Sequence, residues 1–398
     1  MRILIPLLSL ALLACGPGAD SETAGGPASP ALPDGEVVMD TVQSEAATFR
    51  VVQLVDSLEH AWAVDWLPDG RTLITERPGR LLLVDGDSTT VLSGVPEVLA
   101  QGQGGLLDVR VAPDYRESGW IYLTYSMQED SLSGTVLSRA RLRGAGLTDV
   151  EEVYRQTPFL GTDYHFGSRI VFPDDSTLLV ALGERGQRNE GTVDIPTPST
   201  SVGTVVRLRT DGSVPDDNPF VGREDARPEV YTYGHRNPQG MAIHPATGAV
   251  WLHEHGPHGG DELNRIEAGA NYGWPAVSYG DTYSTPREEI GGTEAPGVTQ
   301  PVEYWDPSPA LSGMTFYTGD AFPGWRNHLF MGALSLQKLI RAELSGDSAV
   351  VHQEDLLSKQ IGRIRDVATG PAGHLYFLTD ASNGGLYRLE PVETGSER

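Results

Sequence analysis

The chain has 398 residues, a formal net charge of −25 and one cysteine. That length holds one large propeller or barrel or two ordinary domains, and so acidic a chain repels nucleic acid and anionic lipid surfaces while suiting bound cations. The lone cysteine excludes an internal disulfide, and 47 Gly with 28 Pro, recurring between short apolar runs, imply many turns joining short strands.

Met1-Arg2 precedes an apolar run from Ile3 to Ala14 and then Cys15. One Arg, a short apolar core and small residues describe an export signal, and the run is too short to cross a bilayer as a helix. Leu12-Leu13-Ala14-Cys15 resembles the bacterial lipobox, so Cys15 is the predicted lipidation site and the only expected membrane contact is through that anchor. This predicts a periplasmic or outer-membrane lipoprotein of a bacterium. Residues 16–47 are rich in Gly, Pro, Ala, Ser and acids without hydrophobic periodicity, and read as a flexible acidic linker. The folded domain is expected over 48–392, with 393–398 as a tail.

Within that domain one pattern recurs: an apolar strand, a Pro-Asp-Gly-like turn and a second apolar strand. The copies begin at Val64, Val109, Ile170, Met241, Met314 and Val367, each followed by a second run such as Thr72-Leu73-Ile74-Thr75-Glu76 or Leu375-Tyr376-Phe377-Leu378. The mean period is about 57 residues, above the ~40–50 of compact propeller blades, and the excess falls in the third to fifth units. A single unit would leave an apolar face bare and its edges open, whereas radial closure buries the faces. The fold predicted is therefore all-β, a six-bladed β-propeller. Phe49–Gln53 and Leu386–Leu389, at opposite ends of the chain, are predicted to share one blade and clasp the ring.

The densest chemistry lies in Tyr231–Gly240, His253–Asn264 and Gly269–Pro275, which are polar, Gly-rich and aromatic together. His253, His255 and His258 invite a transition-metal reading, but their spacing matches none of the usual zinc signatures. Asp261 and Glu262, with carbonyls freed by Gly and Pro, are hard oxygen donors and suit Ca²⁺ better.

Six motifs appear in order: Gly102-Gln-Gly-Gly-Leu-Leu107, His165-Phe-Gly-Ser-Arg169, Gly234-His-Arg-Asn-Pro-Gln-Gly240, Glu254-His-Gly-Pro257 with Asp261-Glu262, Asn271-Tyr-Gly-Trp-Pro275 and Arg363-Ile-Arg-Asp366. Together they resemble the soluble glucose dehydrogenases and aldose sugar dehydrogenases that use pyrroloquinoline quinone (PQQ), from about Gln53 to Leu389. Trp305–Gly313 is similar to the aldose sugar dehydrogenase branch. The resemblance implies oxidation of an aldose at C1 to the lactone, with PQQ and Ca²⁺ as cofactors and a separate electron acceptor, a quinone or a cytochrome.

It also implies roles. His165 matches the general base, suited by an imidazole pKa near working pH. Gln103 would position substrate or cofactor. Arg236 would stabilise charge growing on the quinone, with Asn237 bonded nearby. Arg363 and Arg365, two apart on a strand, face one way and would grip the cofactor's carboxylates. The carbonyls of Gly256 and Pro257, with Asp261 in the same loop, match the cofactor calcium site, and Glu262 with the Tyr272 carbonyl a second, structural one. The family's fifth-blade lysine has Ser335 and, three later, Lys338 as its nearest counterparts; Lys338 is the candidate cation, and the sequence does not choose between the two positions. Thr192–Ser201, rich in Thr, Pro and Ser, departs from the branch's usual pattern and is expected to alter substrate access. Two other readings of such a propeller are a calcium-dependent lactonase, which needs carboxylate and Asn ligands around the central channel, and a non-catalytic propeller that binds a sugar or a partner.

Overall fold

In the computed structural model, which describes residues 32–187, 195–346 and 348–392, the chain forms six antiparallel sheets. The innermost strands are Ala61–Trp66, Leu106–Val111, Gly167–Val171, Pro238–Ile243, Leu311–Phe316 and Ile364–Thr369, and each contacts the next around a closed ring. This is the six-bladed propeller read from the repeats. The apolar runs that follow each turn, among them Thr72–Glu76, Thr177–Leu182, Leu329–Ala333 and Leu375–Thr379, are the second strands of their blades and are buried along their whole length. They lack polar alternation because neighbouring blades cover both of their faces. Six apolar clusters occupy the six junctions between blades, so the core is a ring of inter-blade seams.

A side chain also staples every junction to the backbone of the next blade. The amides of Val64, Val111, Ile170 and Leu311 donate to Asp366, Asp65, Asp108 and Asp261 at 3.0, 2.7, 2.8 and 3.0 Å. Arg169 Nε donates to the Gln239 carbonyl and Ser312 Oγ to that of Ile364, each at 2.7 Å. Hydrogen bonds to a charged group are worth about 1.5–3 kcal/mol each, and buried acids that satisfy backbone donors fix the rotation of one blade against the next.

The ring closes as expected: Thr48–Leu58 pairs antiparallel with Gly384–Pro391, Val51 opposite Leu389 and Val52 opposite Arg388. The predicted linker is corrected at its C-terminal end, because Glu36–Gln43 is a strand that adds a fifth member to this last blade. Its residues are mostly exposed, so composition gave no sign of it; pairing with Thr48–Leu58 and packing of Met39 and Val42 against the adjacent core hold it. Cys15, the signal segment and the 393–398 tail lie outside the described residues.

Closure and decoration are separable. A chain beginning at Ser44 is expected to keep one cooperative thermal transition by circular dichroism. A chain beginning at Glu59 removes the clasp and is expected to lose that transition; retention of the full-length melting temperature would refute the clasp.

Candidate active site

Two sets of loops meet at one end of the central channel: those leading into each inner strand, and those joining the second strand of a blade to the third. Between them lies a cleft of about 210 Å³. Trp62, Leu107 and Phe166 line it, and the buried Arg169 guanidinium lies 4.1 Å from the Trp62 ring and pairs with Asp108 and Asp366. The cleft floor is therefore tied to the staples of the fold.

His165 sits on the loop into the third blade, beside the cleft. Its backbone is in the left-handed region (φ 57°), as is that of Ser168 (φ 104°) and of Arg185 (φ 57°) on the facing loop. Such strain costs about 1–3 kcal/mol per residue and persists only where neighbours enforce it. Here the His165 amide donates to Gln103 Oε1 at 2.9 Å, and the ring Nδ1 lies 2.7 Å from the buried Glu184 Oε1. Gly183 permits the close approach, since a Cβ there would stand 1.9 Å from the His165 carbonyl oxygen. Arg185 pins the same loop, donating to the Tyr164 carbonyl at 2.9 Å and to the Ser133 carbonyl at 2.6 Å, with Phe166 stacked 3.8 Å from its guanidinium.

Arg236 and Asn237 lie on the loop into the fourth blade, as their motif implied. Glu254 organises that loop: its carboxylate accepts from His235 Nδ1 at 2.8 Å, from Asn264 Nδ2 at 3.3 Å and from the Arg236 amide. Tyr272 stacks on His235 at 4.7 Å, and Trp274 lies 5.2 Å from the Arg236 guanidinium. Ile195 and Val202 pack with Trp274, so the altered loop contributes to this wall; residues 192–194 lie outside the described residues. The Arg236 side chain donates to the carbonyls of His255 and Gly256 at 3.0 and 2.6 Å.

Arg363 and Arg365 do line the cleft, on the side of the sixth blade. Both reach Asp380 Oδ2, at 3.2 and 3.1 Å, and Arg365 also donates to Gln239 Oε1 at 3.3 Å, which links it to Asn237 through Gln239 Nε2. Burial raises the Asp380 carboxyl, but Arg365, His60 and Arg363 outweigh it and hold the group well below the usual carboxylate range. Burial brings Arg365 down to about 10, still charged at neutral pH. Lys338 is not part of this group. It opens the strand Lys338–Ser345, points outward and pairs with Asp355 at 2.8 Å, while Ala310 and Leu334 face the cleft on that side. Arg77, from the first blade, supplies a cation that the motifs did not reveal.

The three histidines do not converge. His253 is buried beneath Gly240 and its pKa is driven well below the ordinary value by burial; His255 lines the cleft; and His258 packs near Tyr283. Among the described residues no three His, Cys, Asp or Glu side chains form a metal cluster. The predicted calcium ligands are brought together only in part. The Gly256 carbonyl accepts from Arg236, and that of Pro257 from the Tyr283 hydroxyl at 2.6 Å. Asp261 accepts from the Gly256 amide at 3.2 Å, Ser308 Oγ at 2.7 Å and the Leu311 amide, so it acts as the staple between the fourth and fifth blades. Glu262, Glu254 and Tyr272 line, together with Gly256, a small cavity of about 10 Å³, room for about one water or small ion. Burial and the neighbouring Glu254 push the Glu262 carboxyl well above its usual range, the condition that a bound cation relieves.

Over residues 58–388 the chain matches the Glucose / Sorbosone dehydrogenase family. The chain belongs to that family. It is 46% identical over 355 residues to the aldose sugar dehydrogenase YliI of Escherichia coli K12, covering 87% of this chain and 94% of that one. The crystal structure of the soluble aldose sugar dehydrogenase of E. coli, in its apo form, superposes with a TM-score of 0.82 at 45% identity over 86% of this chain and all of that one. The PQQ-bound aldose sugar dehydrogenase of Streptomyces coelicolor gives 0.68 at 28% identity, over 86% and 99%. In this member of the glucose/sorbosone dehydrogenase family, Glu184, Asp380 and Arg77 join the residues that the motifs contain, and Glu254 and Gln239 within those motifs tie them together.

Asp380 makes that site's stability depend on acid. Because its carboxyl is held below the unfolded value of about 3.9, its contribution is present above pH 4 and is lost as the pH falls through the folded value. Asp380→Asn is expected to cost about 2 kcal/mol at pH 7, less than the ~3–5 of a fully buried pair because Arg363 reaches solvent. The gap between variant and wild type in urea unfolding should narrow steadily as the pH falls below about 4; a gap that does not narrow with acid would place the effect outside the ion pair.

Proposed function

We propose that this chain is an exported dehydrogenase that oxidises an aldose at C1 to the lactone with PQQ and Ca²⁺, and passes the electrons to a quinone or a cytochrome. The observation that carries this reading is a cleft where guanidinium groups converge beside a histidine whose Nδ1 is bonded to a buried carboxylate. Its residues fit both cofactors. The arginines suit a tricarboxylate, and the Gly256 and Pro257 carbonyls are hard oxygen donors, a cation there taking the place of the hydrogen bonds they now accept. Glu262 with Tyr272 suits a second, structural calcium. When bound, PQQ supplies the two-electron acceptor and Ca²⁺ the Lewis acid that polarises it.

The protein's own part is proton management, charge stabilisation and positioning. Nδ1–H donated to Glu184 leaves the Nε2 lone pair of His165 as the base for the anomeric hydroxyl proton, and the carboxylate stabilises the imidazolium that results. Gln103 holds the His165 backbone, so it positions the base as well as meeting substrate at the cleft mouth. Arg236, with its guanidinium held by the His255 carbonyl and lying beside Trp274, is a fixed cation for charge that develops at the reacting end. Asn237 and Gln239 order the polar side of the cleft and join it to Arg365. A lactonase reading is weaker, because the channel carboxylates Asp65, Asp108 and Asp366 are engaged with backbone amides of the next blade and with Arg110 or Arg169. Lipid attachment at Cys15 would place the enzyme at a bacterial membrane surface facing the periplasm or beyond.

Purified protein reconstituted with PQQ and Ca²⁺ is expected to oxidise aldoses with an artificial electron acceptor; no PQQ uptake and no turnover with any aldose would overturn the reading. His165→Gln should abolish turnover while PQQ affinity is kept. Glu184→Gln should lower kcat by about 10²-fold or more and shift the pH–rate profile, again with unchanged PQQ affinity.

A further inference from the structure

Four blades place a residue at the cleft directly after the end of their second strand: Arg77, His255, Leu334 and Asp380; in the third blade Glu184 stands two residues past that strand. Glu184 reaches the site through His165, and Asp380 organises Arg363 and Arg365. Arg77 occupies the equivalent position in the first blade. Its backbone is clamped: the amide donates to the His60 carbonyl at 3.1 Å, and its own carbonyl accepts from Leu106 at 3.1 Å. Gly105 (φ 139°) makes that clamp possible, since a Cβ there would meet the Arg77 carbonyl oxygen at 2.0 Å.

The guanidinium, by contrast, is unengaged. Nε is buried without a hydrogen-bond partner, and the Arg77 side chain forms no ion pair or hydrogen bond among the described residues. Other arginines at this end of the channel have acceptors: Arg185 has carbonyls, and Arg363 and Arg365 share Asp380. Asp380 is the one carboxylate among the described residues that line the cleft, against the three guanidinium groups of Arg77, Arg363 and Arg365. An unpaired cation held half-buried is costly unless an anion shares its site. The opposite wall, where a lysine was expected, presents Leu334 and Ala310.

The structure assigns Arg77 as a third carboxylate-gripping residue for the anionic cofactor, supplying from the first blade the cation that Lys338 does not supply from the fifth. The assignment rests on the PQQ reading proposed above. Its chemistry is the pairing of a planar guanidinium fork with a carboxylate.

The test is titration of calcium-loaded apo-protein with PQQ, followed by quenching of tryptophan fluorescence, for wild type, Arg77→Gln, Arg77→Lys and Lys338→Ala. Arg77→Gln is expected to weaken PQQ binding at least tenfold, Arg77→Lys to restore part of the loss, and Lys338→Ala to leave the Kd unchanged. The rise in melting temperature on adding PQQ should shrink for Arg77→Gln, while its cofactor-free melting temperature matches wild type. Wild-type affinity in Arg77→Gln, or a change confined to KM for sugar, overturns the assignment and leaves the PQQ reading standing. Wild-type protein that takes up no PQQ overturns both.

Discussion

The pairing of Thr48–Leu58 with Gly384–Pro391 is the contact on which every other arrangement depends. Each blade hides its apolar faces only against two neighbours, so an open row would leave two bare ends. Closing the row joins segments more than 300 residues apart, but closure entropy rises only with the logarithm of the intervening length. Long insertions in the third to fifth blades are therefore tolerated. What closure yields in return is convergence: loops from all six blades reach one axis, and residues far apart in sequence come within hydrogen-bond distance.

The staples carry that order from the core to the cleft. Arg169 donates to the Gln239 carbonyl between the third and fourth blades, while Gln239 meets Arg365 and Asn237 through its side chain. Asp366 and Asp108 hold Arg169 from the sixth and second blades. A displacement of any inner strand would thus move a cleft residue, which suits a site where small shifts in geometry carry large consequences for rate.

The repeats were legible because second strands buried on both faces read as continuous apolar runs, and because Pro-Asp-Gly turns punctuate them. His165, Arg236, Asn237, Arg363 and Arg365 were legible through their motifs. Their partners were not. Glu184 is one acid among 54 Asp and Glu, and nothing in Gly183-Glu184-Arg185-Gly186 announces that its carboxylate meets a histidine from the preceding loop. Asp380 and Arg77 share this difficulty, and Glu254, though it stands in a motif, gave no sign that its carboxylate organises the His235–Arg236 loop, since each acts across a gap in sequence that strand pairing or blade packing closes. A signal was nevertheless present: had the six repeats been aligned, the position following the second strand would have stood out as a column with Arg77, Asp130, His255 and Asp380 in four of six blades. Lys338 misled for the opposite reason, because proximity to the expected position in sequence says nothing about strand face, and its side chain turns to Asp355.

The choice of arginine in this cleft follows from the charge of the whole chain. A protein of net charge −25 repels an anionic ligand at long range, so its binding site must concentrate positive charge locally and keep it there. Burial opposes that requirement, and at Arg365 it lowers the guanidinium to about 10. A lysine amine, ordinarily about 10.4, starts lower, and the same burial would push it down toward the range where charge begins to be lost. A guanidinium keeps its proton and also offers a planar pair of donors to a carboxylate. Lys338, turned away from the cleft and paired with Asp355 on the outer strand, satisfies neither condition, while the arginines at the channel mouth satisfy both.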